Sequence, residues 1–359
     1  MPSSDKRELG AASISLRELA KLAGVSVTTA SRALSGDRHA SAEMRERVQR
    51  LADKVGYRRN AAASQLMRDF KRNRSLSRRE TIAFLCWEPP SVWNLPEYEF
   101  YRRIHAGSRD RAFALGYDFE IVELRQPEIT YRRLGGILKS RGIRGVILAP
   151  LPELTTELPG FPWESFAAIR IGAMLQSPVL HSMHTDYFGC MELCLAKLIT
   201  RGCRRIGYVS ERKVDIRQRG MATAKFAHYQ AQLPPDKRLG VFFWDVWDPV
   251  SFADWLRDQA PDGIVSQGPQ PVDVLRQVGP CKIDFCWLVA QINTPEISGP
   301  VAQQEELGAQ AVTHLSAALL HGDYGPPRTP IELMVQGQWR EAIADSAAKP
   351  LSASKEPTS

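Results

Sequence analysis

From Thr81 onward, short apolar runs alternate with stretches of helical periodicity, and this alternation limits the fold more than any other feature of the chain. The runs are TIAFLCW, FEIVEL, GVILAP, RIGYVS, VFFWDV, GIVS and DFCWLVA. Helical stretches fall near 98–115, 187–200, 217–231 and 305–320. Such alternation predicts parallel sheets covered by helices. With 359 residues, the chain is long enough for two or three domains with a sizeable core.

Residues 1–80 have a different character. They hold 18 Lys/Arg against 9 Asp/Glu, a balance of +9, while the remainder balances at −2. A basic head on a near-neutral body suggests that the head binds nucleic acid and the body has another task. A basic targeting or solvated tail would lack the apolar periodicity found here.

In the head, Ser15 and Glu18 have the spacing of a capping box. Leu16, Leu19, Ala20 and Ala23 share one helical face, and Gly24 ends that helix at a turn that Val25 plugs. Ser26 caps a second helix running to about Leu34, with Ala30 and Ala33 turned inward. A third starts at Ser41, carries the stripe Met44, Val48, Leu51, Ala52 and Val55, and closes at Gly56. Two helices crossing steeply at a short turn need a small residue at the crossing. Ala20 supplies it, so the pattern is that of a helix-turn-helix.

The outward face of the second helix carries Val27, Thr28, Ser31 and Arg32. Methyl groups there suit thymine and a guanidinium suits guanine, whereas Ser26, Thr29 and Ser31 suit phosphates. The plain alternative for Arg32 is a solvated surface charge; in this frame a base contact is favoured.

The stretches LRELAKLAGVSVTTASRALSG and SAEMRERVQRLADKVGYRRNAAASQL resemble, without a gap from about Leu16 to Leu66, the head of the lactose-repressor family of bacterial transcriptional regulators. The AGVS and TxSR stretches and the GYxxNxxAxxL end carry the match. The resemblance implies that Val27, Thr28 and Arg32 read bases, and that Ser26, Thr29, Ser31 and Asn60 hold the DNA backbone. It makes His39 either a further base contact, as in some members, or a solvated loop histidine. It also implies that residues 60–67 form a hinge helix on operator DNA, with Leu66 wedged into the minor groove and Ala63 letting two copies approach. A helix docked on the body is the other reading of that segment. Arg59 stands where the family usually has Pro, and the basic link MRDFKRNRSLSRRE is longer than usual.

Similarity in the body is weaker. It implies a two-lobed α/β domain like periplasmic binding proteins, with a small, sugar-like effector between the lobes. Phe100 and Tyr101 match the family's aromatic pair, and Arg217 stands where many members bind ligand hydroxyls; a surface or lobe–lobe salt bridge is the other reading of Arg217. Sugar-binding members usually have carboxylates where this chain has Gly172, SQG and QIN. Gln267, Gln291 and Asn293 are the polar groups left at those places, so a changed or lost ligand control stays open.

The expected fold is therefore a small all-α helix-turn-helix head plus an α/β two-lobed body. The expected boundaries are a DNA-binding domain at 1–58, hinge and linker at 59–80, body at 81–343 and a disordered tail at 344–359. The expected function is a DNA-binding regulator, a homodimeric repressor on double-stranded operator DNA. The rivals are a solute-binding protein, which needs export, and an enzyme. No run of 18 apolar residues, signal-peptide core, GxSxG, P-loop, HExxH or zinc spacing is found, so no cofactor, metal, membrane or catalytic activity is expected. The six cysteines are expected as reduced core thiols, His181 and His184 as structural residues flanking a strand edge, and the location as the bacterial cytoplasm, at the nucleoid.

Overall fold

The computed structural model describes residues 14–34, 41–55, 57, 79–126, 128–151, 157–172, 175–277, 283–290 and 295–343. The chain forms two compact units, 1–78 and 79–359.

The first unit contains helices α1 (Leu16–Leu22), α2 (Val27–Leu34) and α3 (Ala42–Lys54). The capping box forms: Glu18 N–H donates to Ser15 Oγ at 3.3 Å, and Ser15 N–H donates to the Glu18 carboxylate at 2.7 Å. These bonds hold the Glu18 carboxyl below its ordinary value. Gly24 adopts φ +64°, the left-handed conformation that ends α1 without a Cβ penalty. Ser41 caps α3 by accepting from Met44 N–H. Leu19, Ala20, Ala23, Ala30, Ala33, Val48 and Ala52 form the core, with Val25, Met44 and Leu51 packed at its edge.

In the second unit the first lobe is built on β1 (Thr81–Cys86), β2 (Asp118–Glu123), β3 (Gly145–Leu148), β4 (Ala167–Ile171), β5 (His181–Thr185) and β11 (Glu332–Val335). Their order is β11-β5-β4-β3-β1-β2, all parallel. Alternation along β1 feeds two cores. Ile82 and Phe84 pack with α4 (Glu99–Ala114) and α11 (Gln304–His321), while Ala83 and Leu85 pack toward α5 (Tyr131–Ser140). Burial on both faces explains the continuous apolar runs.

The second lobe has β6 (Ile206–Glu211), β7 (Val241–Trp244), β8 (Gly263–Ser266) and β9 (Asp284–Trp287), in the parallel order β7-β6-β8-β9. Helices α6 (Tyr187–Thr200) and α8 (Met221–Ala231) share one core with this sheet. Helices α9 (Pro249–Gln259) and α10 (Pro271–Gln277) share another. A small antiparallel pair joins β10 (Gly299–Val301) to β12 (Gln338–Arg340). The chain passes between lobes after β5, before α11 and after β11, so the carboxyl ends of both sheets meet at a cleft.

Two expectations need correction. The helix expected near 217–231 starts only at Met221, as α8, and a separate helix, α7 (Arg212–Arg217), ends just before it. Arg219 at φ +57° and Gly220 at φ +66° break the helical path between them. His181 and His184 do not flank a strand edge. Both lie within β5, and β11 covers that side of it. Cys86, Cys190, Cys194, Cys203 and Cys286 are buried free thiols; Cys281 lies outside the described residues.

Candidate nucleic-acid interface and effector cleft

The turn between α1 and α2 is held from three sides. Val25 N–H donates to Ala20 O at 3.0 Å and Gly24 N–H to Lys21 O at 3.2 Å. From α3, the Arg47 guanidinium donates to Ala23 O at 2.7 Å, which satisfies a carbonyl at the end of α1. Ser26 Oγ accepts from Thr29 N–H at 3.0 Å and so caps α2, and the same hydroxyl lies 2.8 Å from Thr29 Oγ1. Ala30 and Ala33 face the core, which leaves Val27, Thr28 and Arg32 exposed and Ser31 half-buried on the other face. That face offers methyl groups, a hydroxyl and a guanidinium on a rigid helix, a set that fits a major groove. His39, Asn60, Ala63 and Leu66 lie outside the described residues.

In the body, a cavity of about 370 Å³ lies at the cleft. Phe100, Tyr101, Arg217 and Gln267 line it, brought together from α4, the end of α7 and the loop after β8. Gln291 and Asn293 lie outside the described residues. Tyr101 is fully buried; its hydroxyl donates to the Pro150 carbonyl, and burial pushes its phenol up. Phe100 stands against it with ring centroids 4.3 Å apart. Arg103, also in the lining, is fixed by Gln304 Oε1 at 2.6 Å and by both Glu305 oxygens, so it serves α4 and α11. Gly172, at φ +87°, lines the cavity too. Among the described lining residues the one carboxylate is Glu99, 3.8 Å from Arg102.

Three features of the cleft have no sequence signal. Gln218, beside Arg217, is 5% exposed and lines the cavity. Glu332 on β11 pairs with Arg219 at 2.5 Å and lies 3.8 Å from the buried Arg170, an ionic tie from one lobe to the other. His184 lies 2.9 Å from Ser182 Oγ, and burial, then the nearby Arg170 charge, pushes its imidazole down to about 4.

The His184 shift predicts a pH dependence. The folded chain keeps the ring neutral, whereas unfolding restores an ordinary histidine at 6.5. Its contribution is complete above pH 6.5 and is lost as pH falls toward 4, where the unfolded chain binds the extra proton. The full loss is about 3 kcal/mol. Melting temperatures at pH 7.5 and about 5 should therefore converge in His184→Gln relative to wild type. Burial also holds His105 and His181 down, so the comparison between proteins isolates His184. Equal pH slopes in the two proteins would refute it.

A family model described as bacterial regulatory proteins, lacI family, matches residues 15–60, the three-helix head and the start of the segment after it. The head of the chain is similar to the lacI family. The HTH-type transcriptional regulator CelR of Thermobifida fusca is 29% identical over 203 residues, 54% of this chain and 55% of that protein. The chain spans about half the length of the curated relatives it matches. Among solved structures, a CelR–cellobiose complex superposes with TM-score 0.53 at 20% identity, covering 91% of this chain and 98% of that one. The lac repressor dimer bound to operator and the anti-inducer ONPF gives 0.54 at 16% identity, covering 92% and 98%. These likenesses show that the two-lobed body shares the fold of those structures. No helix among the described residues is long and apolar enough to cross a membrane.

Proposed function

We propose that this chain is a sequence-specific transcriptional regulator of the lacI family, a homodimeric repressor in the cytoplasm that binds double-stranded operator DNA under control of a small effector. The observation that carries the reading is the solvent-facing set Val27, Thr28 and Arg32 on the helix after the Gly24 turn. Val27, Thr28 and Arg32, with His39, read bases. Ser26, Thr29, Ser31 and Asn60 hold the backbone, and Ala63 and Leu66 act in the minor groove. The lac repressor structure on its operator supports this assignment by analogy of fold. Phe100, Tyr101, Arg217, Gln267 and Gln291 hold a sugar-like effector, a reading supported by the cellobiose in the CelR complex. Residues 1–58 are the DNA-binding domain, 59–80 the hinge and linker, and 81–343 the effector-binding and dimerisation domain.

Footprinting of the full chain on its own upstream region tests the proposal, with a two-fold-related protected site expected. Arg32→Ala should relax base preference at one position per half-site by about 1–3 kcal/mol. A uniform loss on all sequences would make Arg32 a phosphate contact instead. Cellobiose serves as the effector probe, read as a change in the chain's affinity for that site.

A second reading, a regulator with altered ligand control, is favoured by Gly172 and Gln267, which leave the lining short of carboxylates for vicinal hydroxyls. It predicts the same footprint and no response to neutral sugars.

A further inference from the structure

We propose that Gln218 is a ligand-reading residue of the cleft: its carboxamide oxygen accepts a hydrogen bond from the bound molecule and, with Gln267, selects neutral hydroxyl-bearing ligands. The inference rests on the effector reading of the cleft and adds a residue and a selection rule to it.

Gln218 Oε1 and Gln267 Oε1 are both enclosed, both belong to side chains lining the cavity, and both lack a partner among the described residues. Buried carboxamides normally satisfy both ends. Gln230, buried to a similar degree in the same lobe, shows the structural pattern: its Nε2 donates to Ile206 O at 2.9 Å and its Oε1 accepts from Leu239 N–H at 2.8 Å. Gln218 departs from that pattern at the wall of a cavity. An acceptor left unpaired there costs stability in the unliganded chain, and a donor on a ligand removes that cost.

The backbone aims Gln218 firmly. Its N–H closes α7 by donating to Val214 O at 3.0 Å. The next residue, Arg219, takes the left-handed conformation, which a non-glycine residue adopts only under strain. Gly220 N–H then donates to Asp215 O at 3.0 Å, and the Asp215 carboxylate accepts from the Thr223 hydroxyl at 2.6 Å. Arg219, fixed by this turn, reaches Glu332 of the other lobe. The ligand-reading atom therefore sits one residue from the ionic tie between lobes.

Carboxamides are uncharged, so a pair of them distinguishes ligands by donor placement and not by charge. A molecule offering hydroxyl groups to both oxygens meets this demand. A carboxylate or phosphate oxygen at the same place meets these oxygens acceptor against acceptor unless a carboxamide turns its amide nitrogen inward.

Two measurements on the full chain test the proposal. Unliganded Gln218→Leu should melt about 2 °C above wild type, because an unpaired polar atom is removed, while Gln230→Leu should melt below it. In a cellobiose titration, Gln218→Leu should bind at least about tenfold more weakly than wild type. A Gln218→Leu chain that melts lower than wild type makes Gln218 a structural residue and overturns the proposal. Unchanged cellobiose affinity in Gln218→Leu overturns it as well. If wild type fails to bind cellobiose, the effector reading loses that ligand, and the order of melting temperatures decides the role of Gln218.

Discussion

Leu19→Ala is expected to melt the head at physiological temperature and leave the body folded. The head core is built largely from small residues: Ala20, Ala23, Ala30, Ala33 and Ala52 are buried there. Among the described residues, Leu19 and Val48 are its two large, fully buried side chains. Leucine-to-alanine changes in a core cost about 2–5 kcal/mol, through lost burial and the cavity left behind. A domain of this size has little more than that in total. Relaxation cannot close the gap cheaply, because Arg47 and the Val25–Ala20 bond fix the α1 end and its turn. Calorimetry of the full chain should show the head transition lost and the body transition unmoved. Under the proposed function, operator binding should be lost with the head. A head that still melts within a few degrees of wild type would mean that Leu19 does not carry the core.

The head was legible because its signals are local. A cap, a stripe and a glycine each act within a few residues, and Ser15, Glu18, Gly24 and Ser41 do what their spacing requires. Two strands of the first lobe were missed because polar residues interrupt their pattern. β4 contains Arg170 and β5 contains His181, Ser182 and His184, so neither reads as an apolar run. These residues are placed by non-local pairing: Arg170 and Glu332 both lie opposite Ser182 in the register, and together they form the ionic layer under the cleft. The break at Arg219 was hidden for a related reason. RQRG reads as continuing helix, but the left-handed Arg219 and Gly220, with the bond from Gly220 back to Asp215, turn it into a loop. Arg217 was visible as a candidate from its place in the motif. Gln218 was not, because its burial depends on how that turn packs against the rest of the cleft.

Gly308→Ala should destabilise the body, although alanine is the better helix former. In an open helix the exchange stabilises by about 1 kcal/mol. Gly136 in α5 is such a place, with nothing within 4 Å of where a methyl group would stand, and Gly136→Ala should raise the melting temperature. Gly308 in α11 differs. A Cβ there would collide with Ile104 O and sit 2.9 Å from Ser108 N, both backbone atoms of α4. The contact is reciprocal, since a Cβ on Gly107 would collide with Glu305 O. Backbone cannot swing aside as a side chain does, so the two helices must separate along a seam that includes Ile104, Leu307, Ala311 and Leu315. Overpacking of this kind costs about 1–3 kcal/mol for a single methyl group and more for a larger side chain. Gly308→Leu should therefore leave little folded body at all. The opposite signs expected at two helical glycines make the comparison sharp: stabilisation at both would show that α4 and α11 are not in backbone contact. The site also matters for coupling. α11 carries the chain back from the second lobe, and its Gln304 and Glu305 hold Arg103 at the cavity wall. Separating α11 from α4 thus loosens the floor of the cleft along with the core of the first lobe.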